Sequence, residues 1–115
     1  MADSLYPPYT RELSDKRRAL APETEKAFQA FSQQVFAEGA LTAKTKQLIA
    51  VAVAHVTQCP YCIRGHTRSA LRQGATRQEL MEAIWVAAEM RAGAAYAHSA
   101  IALTAMDEAE APRGG

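Results

Sequence analysis

The sequence predicts an all-α protein, a compact helical domain of five to six helices, and three observations carry that expectation. Apolar residues recur at three- and four-residue spacing in successive segments, helix start and stop signals punctuate them, and strand-like alternation is essentially absent. The 115 residues, 49% of them hydrophobic, suit one domain over 1–115 with a core at about 22–106, and are too few for two independent cores.

The elements follow in chain order. Tyr6-Pro7-Pro8-Tyr9 reads as an extended arm. From Pro22 to Ala37 the residues Ala27, Phe28, Phe31, Val35 and Phe36 form one helical stripe, and Gly39 follows as a stop. Thr42 is an N-cap for a helix through Leu48, Ile49, Val51, Val53 and Val56, whose broad apolar surface marks it as a central element buried on most sides. Pro60 suits the first turn of a third helix, where its missing N–H costs nothing, and Gly74 ends that helix after Leu71. Cys59 therefore sits at a helix start. Thr76-Arg77-Gln78-Glu79 is a capping-box pattern leading into Leu80, Met81, Ile84, Trp85, Ala88 and Met90, with Met81, Trp85 and Met90 expected in the core. Gly93 is expected to break or bend this helix, the Ala-rich stretch from Ala94 to Met106 to form a fifth, and Asp107 to Gly115 to be a loose polar tail.

Charge and composition exclude several function classes. The net charge of +1 arises from interspersed residues, with only Lys16-Arg17-Arg18 clustered, so there is no electrostatic footprint for nucleic acid. The N-terminus has no basic segment followed by an apolar stretch, and the apolar run from Leu48 to Val56 is too short to cross a bilayer, so a cytoplasmic protein is expected. Without a Rossmann glycine pattern there is no evident nicotinamide or flavin site, and no cofactor is expected. Two cysteines three residues apart are a poor structural framework, and a reducing compartment keeps them mostly as thiols, which leaves redox or metal chemistry.

That chemistry is concentrated between His55 and His66. On a helix beginning near Cys59, residues 59, 62 and 66 share one face, so two sulfurs and an imidazole can meet. A cysteine in the first helical turn feels unsatisfied N–H groups and the positive end of the dipole, which lower its pKa from about 8.5. A second thiol one turn away can capture an oxidised sulfur before it becomes irreversible sulfinic acid. The competing readings are a pair of buried structural cysteines and a zinc set of His55, Cys59, Cys62 and His66, whose four ligands lie closer in sequence than structural zinc sites usually allow. His55 is equally readable as an end-of-helix residue bonded to carbonyls, and His98 as either a buried residue or a pocket wall.

The stretch Leu41-Thr42-Ala43-Lys44-Thr45-Lys46-Gln47-Leu48-Ile49-Ala50-Val51-Ala52-Val53-Ala54, then Cys59-Pro60-Tyr61-Cys62-Ile63-Arg64-Gly65-His66, then Gly74-Ala75-Thr76, resembles the carboxymuconolactone decarboxylase family, in its alkylhydroperoxidase-D-like branch, over about residues 22 to 105. The resemblance implies an all-helical protomer in a homotrimer or homohexamer, a thiol-dependent peroxidase acting on a hydroperoxide, and a dithiol, thioredoxin-like or lipoyl reductant. It implies Cys62 as the peroxidatic cysteine, Cys59 as the resolving cysteine and His66 as a proton relay. The helix-terminus argument alone favours Cys59 as the more acidic thiol, and the resemblance is followed for the roles. The branch carries a Glu twelve residues before the first cysteine, where this sequence has Gln47, which accepts no proton at neutral pH. His55 is the nearest candidate to assist. A general disulfide oxidoreductase is the alternative enzymatic reading.

Overall fold

A computed structural model describes residues 5–112 of the chain. Among them are five α-helices and no strand: α1 Arg11–Leu20, α2 Pro22–Phe36, α3 Ala43–Thr57, α4 Pro60–Arg72 and α5 Arg77–Glu110. The all-α class stands, and the signals at Thr42, Pro60, Gly74 and Thr76–Glu79 fall where the sequence placed them. Thr42 caps α3 by accepting from the Thr45 N–H, and Thr76 and Glu79 form the reciprocal capping box of α5. Gly74 takes φ +93°, a left-handed conformation that suits glycine at the end of α4.

Three expectations are corrected. The core is expected to start at about residue 22 with a flexible N-terminal arm before it, yet that arm contains a helix: Thr10 caps α1, Glu12 sits in its first turn and Arg17 and Arg18 in its last. With Leu13 and Leu20 nearly alone as large apolar residues, α1 has no stripe that periodicity could detect. Second, Gly93 interrupts nothing, and α5 runs unbroken for 34 residues, about 50 Å. One glycine costs a helix interior only about 1 kcal/mol, and no proline enforces a break. Third, the helix continues through Asp107 to Glu110, residues expected to be tail. Met1 to Ser4 and Arg113 to Gly115 lie outside the described residues.

The core is a small three-helix assembly. Helix α3 packs against both α4 and α5. Lys44 bonds Glu79 at 3.0 Å near the start of both α3 and α5, and Arg91 donates to the Val56 carbonyl at 3.0 Å near the end of α3, so the two helices run parallel in fixed register. Backbone N–H donation from Thr76, then the Lys44 ammonium, hold the Glu79 carboxyl below its ordinary pKa. Val51, Ala70, Ala75 and Leu80 form the buried centre, with Leu48 and Ile84 packed against it. Alanine at the contacts lets the helix axes approach closely.

Much apolar surface finds no cover within the chain. The central helix is buried on one side only, since Ile49 and Val53 are about half exposed. Trp85, Met81 and Met90, expected in the core, are exposed, Trp85 by 67%. From Ala94 to Glu110 every residue is exposed, because α5 outruns α3. The radius of gyration is 20.8 Å, against about 13 Å for a compact domain near this size, and the longest extent is 68 Å. The described chain is thus more elongated than the compact domain the sequence predicts.

Because Val51 is fully buried at the one place where three helices meet, Val51→Ala should lower stability by about 2 kcal/mol in urea unfolding monitored by circular dichroism. A loss below about 0.5 kcal/mol would show that the core is not centred there.

Candidate active site

The site is built at the tight junction of α3 and α4. Gln58 takes the left-handed conformation (φ 59°, ψ 48°) and its N–H donates to the Ala54 carbonyl, as does the N–H of Cys59 at 3.1 Å. This double bond to one carbonyl ends α3 and reverses the chain within two residues. Cys59 then enters α4 as its N-cap, with Pro60 in the first turn as expected. The Cys59 sulfur accepts from the Cys62 N–H at 3.2 Å, so it occupies the place of the usual capping oxygen.

Cys59 and Cys62 are joined as a disulfide, with their Cα atoms 5.2 Å apart. His66 lies one turn beyond Cys62, and its Nδ1–H donates to the Gln47 side-chain oxygen at 2.7 Å. The imidazole stacks on the Phe36 ring at 5.1 Å between centroids. Gln47 thus fixes the tautomer and leaves Nε2 as the basic atom. Burial holds the His66 pKa below its ordinary value by disfavouring the charged ring, so the ring is neutral and able to take a proton near neutral pH.

A groove of about 400 Å³ lies over this pair, walled mainly by Val35, Phe36, Ile49 and Val53, with Cys62 and His66 in its lining. Lys46 reaches back to the carbonyls of Val35 (2.8 Å) and Ala37 (2.6 Å), closing the end of α2 and setting Phe36 against His66. The roles of Phe36 and Lys46 escape sequence reasoning because their partners are distant in the chain. A lysine placed just ahead of the apolar run of α3 was the one available signal.

The remaining candidates fall elsewhere. The His55 Nδ1–H donates to the Val51 carbonyl at 2.8 Å, and the ring lines a separate cleft on the other flank of α4. His55 and His66 therefore do not converge, and the zinc set of His55, Cys59, Cys62 and His66 is not assembled. Among the described residues no group of three or more His, Cys, Asp or Glu could hold a metal. His98 is exposed on the overhanging part of α5, neither buried nor a pocket wall. The N-terminal arm is anchored: the Tyr61 hydroxyl donates to the Pro7 carbonyl at 2.6 Å, and Tyr6 meets the Tyr61 ring edge-on. The arm thus rests on the residue between Pro60 and Cys62.

This fold and site define a helical Cys-x-x-Cys protein with an adjacent histidine. The model of the carboxymuconolactone decarboxylase family matches residues 22–105, and the chain belongs to that family. It is 60% identical over 108 residues, 94% of this chain and 96% of the relative, to an uncharacterized protein of the cox locus of Paracoccus denitrificans. A carboxymuconolactone decarboxylase family protein from Legionella pneumophila, solved as the apo form, superposes with a TM-score of 0.67 at 38% identity, over 84% of this chain and 87% of that one. A Methanobacterium thermoautotrophicum protein gives 0.68 at 40% identity, over 72% and 93%. Among the described residues no helix is long and apolar enough to cross a membrane.

The neutral His66 ring makes stability depend on pH. Its folded pKa lies below the unfolded value of about 6.5, so its contribution is intact above that pH and is lost as pH falls from about 6.5 through the folded pKa. Unfolding midpoints compared at pH 7.5 and pH 5 should drop more in the parent than in His66→Phe. An equal drop in both would remove the assignment.

Proposed function

We propose that this protein is a thiol-dependent peroxidase of the alkyl hydroperoxide reductase type, cycling Cys59 and Cys62 between dithiol and disulfide. The observation that supports this most directly is the bonded sulfur pair at the start of α4, with Cys62 and His66 lining one apolar groove. An apolar groove suits the organic part of a hydroperoxide. In this reading the His66 Nε2, through water, takes the Cys62 proton, and the thiolate attacks the peroxide oxygen. The O–O bond breaks, the proton leaves with the alcohol or water, and Cys62 becomes a sulfenic acid. The Cys59 thiol loses its proton and attacks that sulfur, the S–O bond breaks, the departing oxygen takes up that proton and leaves as water, and the disulfide closes. An external dithiol, from a lipoyl or thioredoxin-like donor, returns two electrons.

The Cys59 sulfur already accepts a backbone N–H at the helix terminus, which stabilises its thiolate and makes it the better leaving group during reduction. A reductant then attacks Cys62, the sulfur that faces the groove. This accommodates an acidic Cys59 beside a peroxidatic Cys62, because the two properties serve opposite half-reactions. One observation favours a second reading, general disulfide exchange. Gln47 orients His66 but has no site for a proton at neutral pH, so the relay ends at the imidazole. A cytoplasmic setting suits either cycle.

The uncovered faces of α3 and α5 support assembly with further copies of this chain, as a homotrimer or homohexamer. Sedimentation should give a species several times the 12.5 kDa protomer, reduced to monomer by Tyr96→Glu with Ile101→Glu. A stable parent monomer would exclude this.

Hydroperoxide turnover with a dithiol reductant tests the chemistry. Cys62→Ser should abolish it, Cys59→Ser should leave a sulfenic acid on Cys62 that a dimedone-type probe labels, and Gln47→Glu should raise the rate about tenfold or more by completing the relay. Full turnover by Cys62→Ser would reverse the roles. Rapid exchange with small disulfides alongside inert behaviour toward peroxide, in parent and Gln47→Glu alike, would establish the second reading.

A further inference from the structure

The second cleft has a chemistry unlike the first. It is an open hollow of about 630 Å³ on the opposite flank of α4, with Pro60 and Ile63 as its apolar part and His55, Gln58, Arg64, Thr67 and Arg68 as its polar part. Arg64 and Arg68 are one turn apart on the same helical face, so both guanidinium groups can serve one ligand. Neither makes a hydrogen bond or ion pair among the described residues, whereas Arg17, Arg18, Arg72 and Arg91 are each engaged by a neighbouring oxygen. The His55 Nδ1 is committed to the Val51 carbonyl, which leaves Nε2 as the ring atom a ligand could meet.

The charge of the lining is one-sided, with Arg64 and Arg68 and no carboxylate, and the local sequence matches it. From Gly39 to Gln78 the sequence has no Asp or Glu, while it carries Lys44, Lys46, Arg64, Arg68, Arg72 and Arg77. The adjoining carboxylate after this stretch, Glu79, is already bonded to Lys44 and Thr76 at the far end of the helices. Two free arginines beside an apolar patch, in a segment without carboxylates, form a receptor for a negative charge on a partly apolar body.

We propose that this cleft is a binding site for a small amphipathic anion, its carboxylate or phosphate group held by Arg64 and Arg68 and its apolar part lying on Pro60 and Ile63. The anion sits on the flank of α4 away from Cys62, within a turn or two of the disulfide, and its binding is independent of whether the cysteines turn over peroxide.

Amide chemical shifts of the full-length oxidised protein, titrated with 3-phenylpropionate, with phenyl phosphate and with the neutral 3-phenylpropionamide, test this. One or both anions should give saturable shifts centred on Ile63, Arg64 and Thr67, and the tighter of the two names the head group. The amide should be at least tenfold weaker. Arg64→Gln combined with Arg68→Gln, both exposed positions, should keep the parent circular dichroism and weaken the anion at least tenfold. Equal binding of anion and amide, shifts centred outside the cleft, no binding of either anion, or an unchanged titration in the double variant would each overturn the proposal. Peroxide turnover is read separately through Cys62→Ser, so failure of one reading leaves the other standing.

Discussion

Everything at the candidate site depends on how α3 stops. The Ala54 carbonyl collects the N–H groups of Gln58 and Cys59, and Gln58 accepts a left-handed backbone to make that possible. A non-glycine residue in that conformation costs about 1 kcal/mol or more, which the two hydrogen bonds and the α3–α4 packing offset. The result is a reversal so short that Cys59 becomes the N-cap of the next helix. A longer loop would leave the first turn of α4, with the Cys59 cap inside it, less tightly tied to the end of α3. The disulfide and the position of His66 one turn later are set within α4, and the reversal turns that face of α4 toward α3, where His66 meets Gln47.

The helix-level architecture was largely legible because its signals are local. Thr42, Pro60, Gly74 and the Thr76–Glu79 box each act within four residues, and each is found in its expected place. What was illegible depends on distant neighbours or on none. Helix α1 is held by a cap and by charges in place of an apolar stripe, so periodicity passed over it. Trp85 and Met90 look like core residues from spacing alone, yet spacing says which face is apolar and nothing about whether the same chain covers it. The sulfur pair could be read from the three-residue interval. The stacking of Phe36 on His66 could not, since it joins residues thirty positions apart through a lysine that closes a helix end.

The Gln47–His66 pair shows how one atom changes the meaning of an otherwise identical geometry. A carboxylate and a carboxamide both present an oxygen to the imidazole Nδ1–H, so both fix the same tautomer and the same ring orientation. They differ once the ring has taken up a proton. A carboxylate stabilises the imidazolium by its charge, whereas the carboxamide offers only a dipole, and burial already disfavours the charged ring. In the proposed cycle Gln47 would therefore orient the ring without stabilising its protonated form by charge.

The overhang of α5 has a thermodynamic consequence of its own. A helical segment of this length standing alone in water would be marginal even when rich in alanine, because nucleation is costly, but here the packed half of α5 supplies the nucleus. From Ala94 onward the backbone has only its own hydrogen bonds and the attachment to the packed half of α5 for support. Its order is therefore propagated from the packed half of the same helix, each added turn resting on the one before. With every residue from Ala94 to Glu110 exposed, fraying would start at the C-terminal end and move inward toward Gly93, where packing against α3 begins to hold the helix.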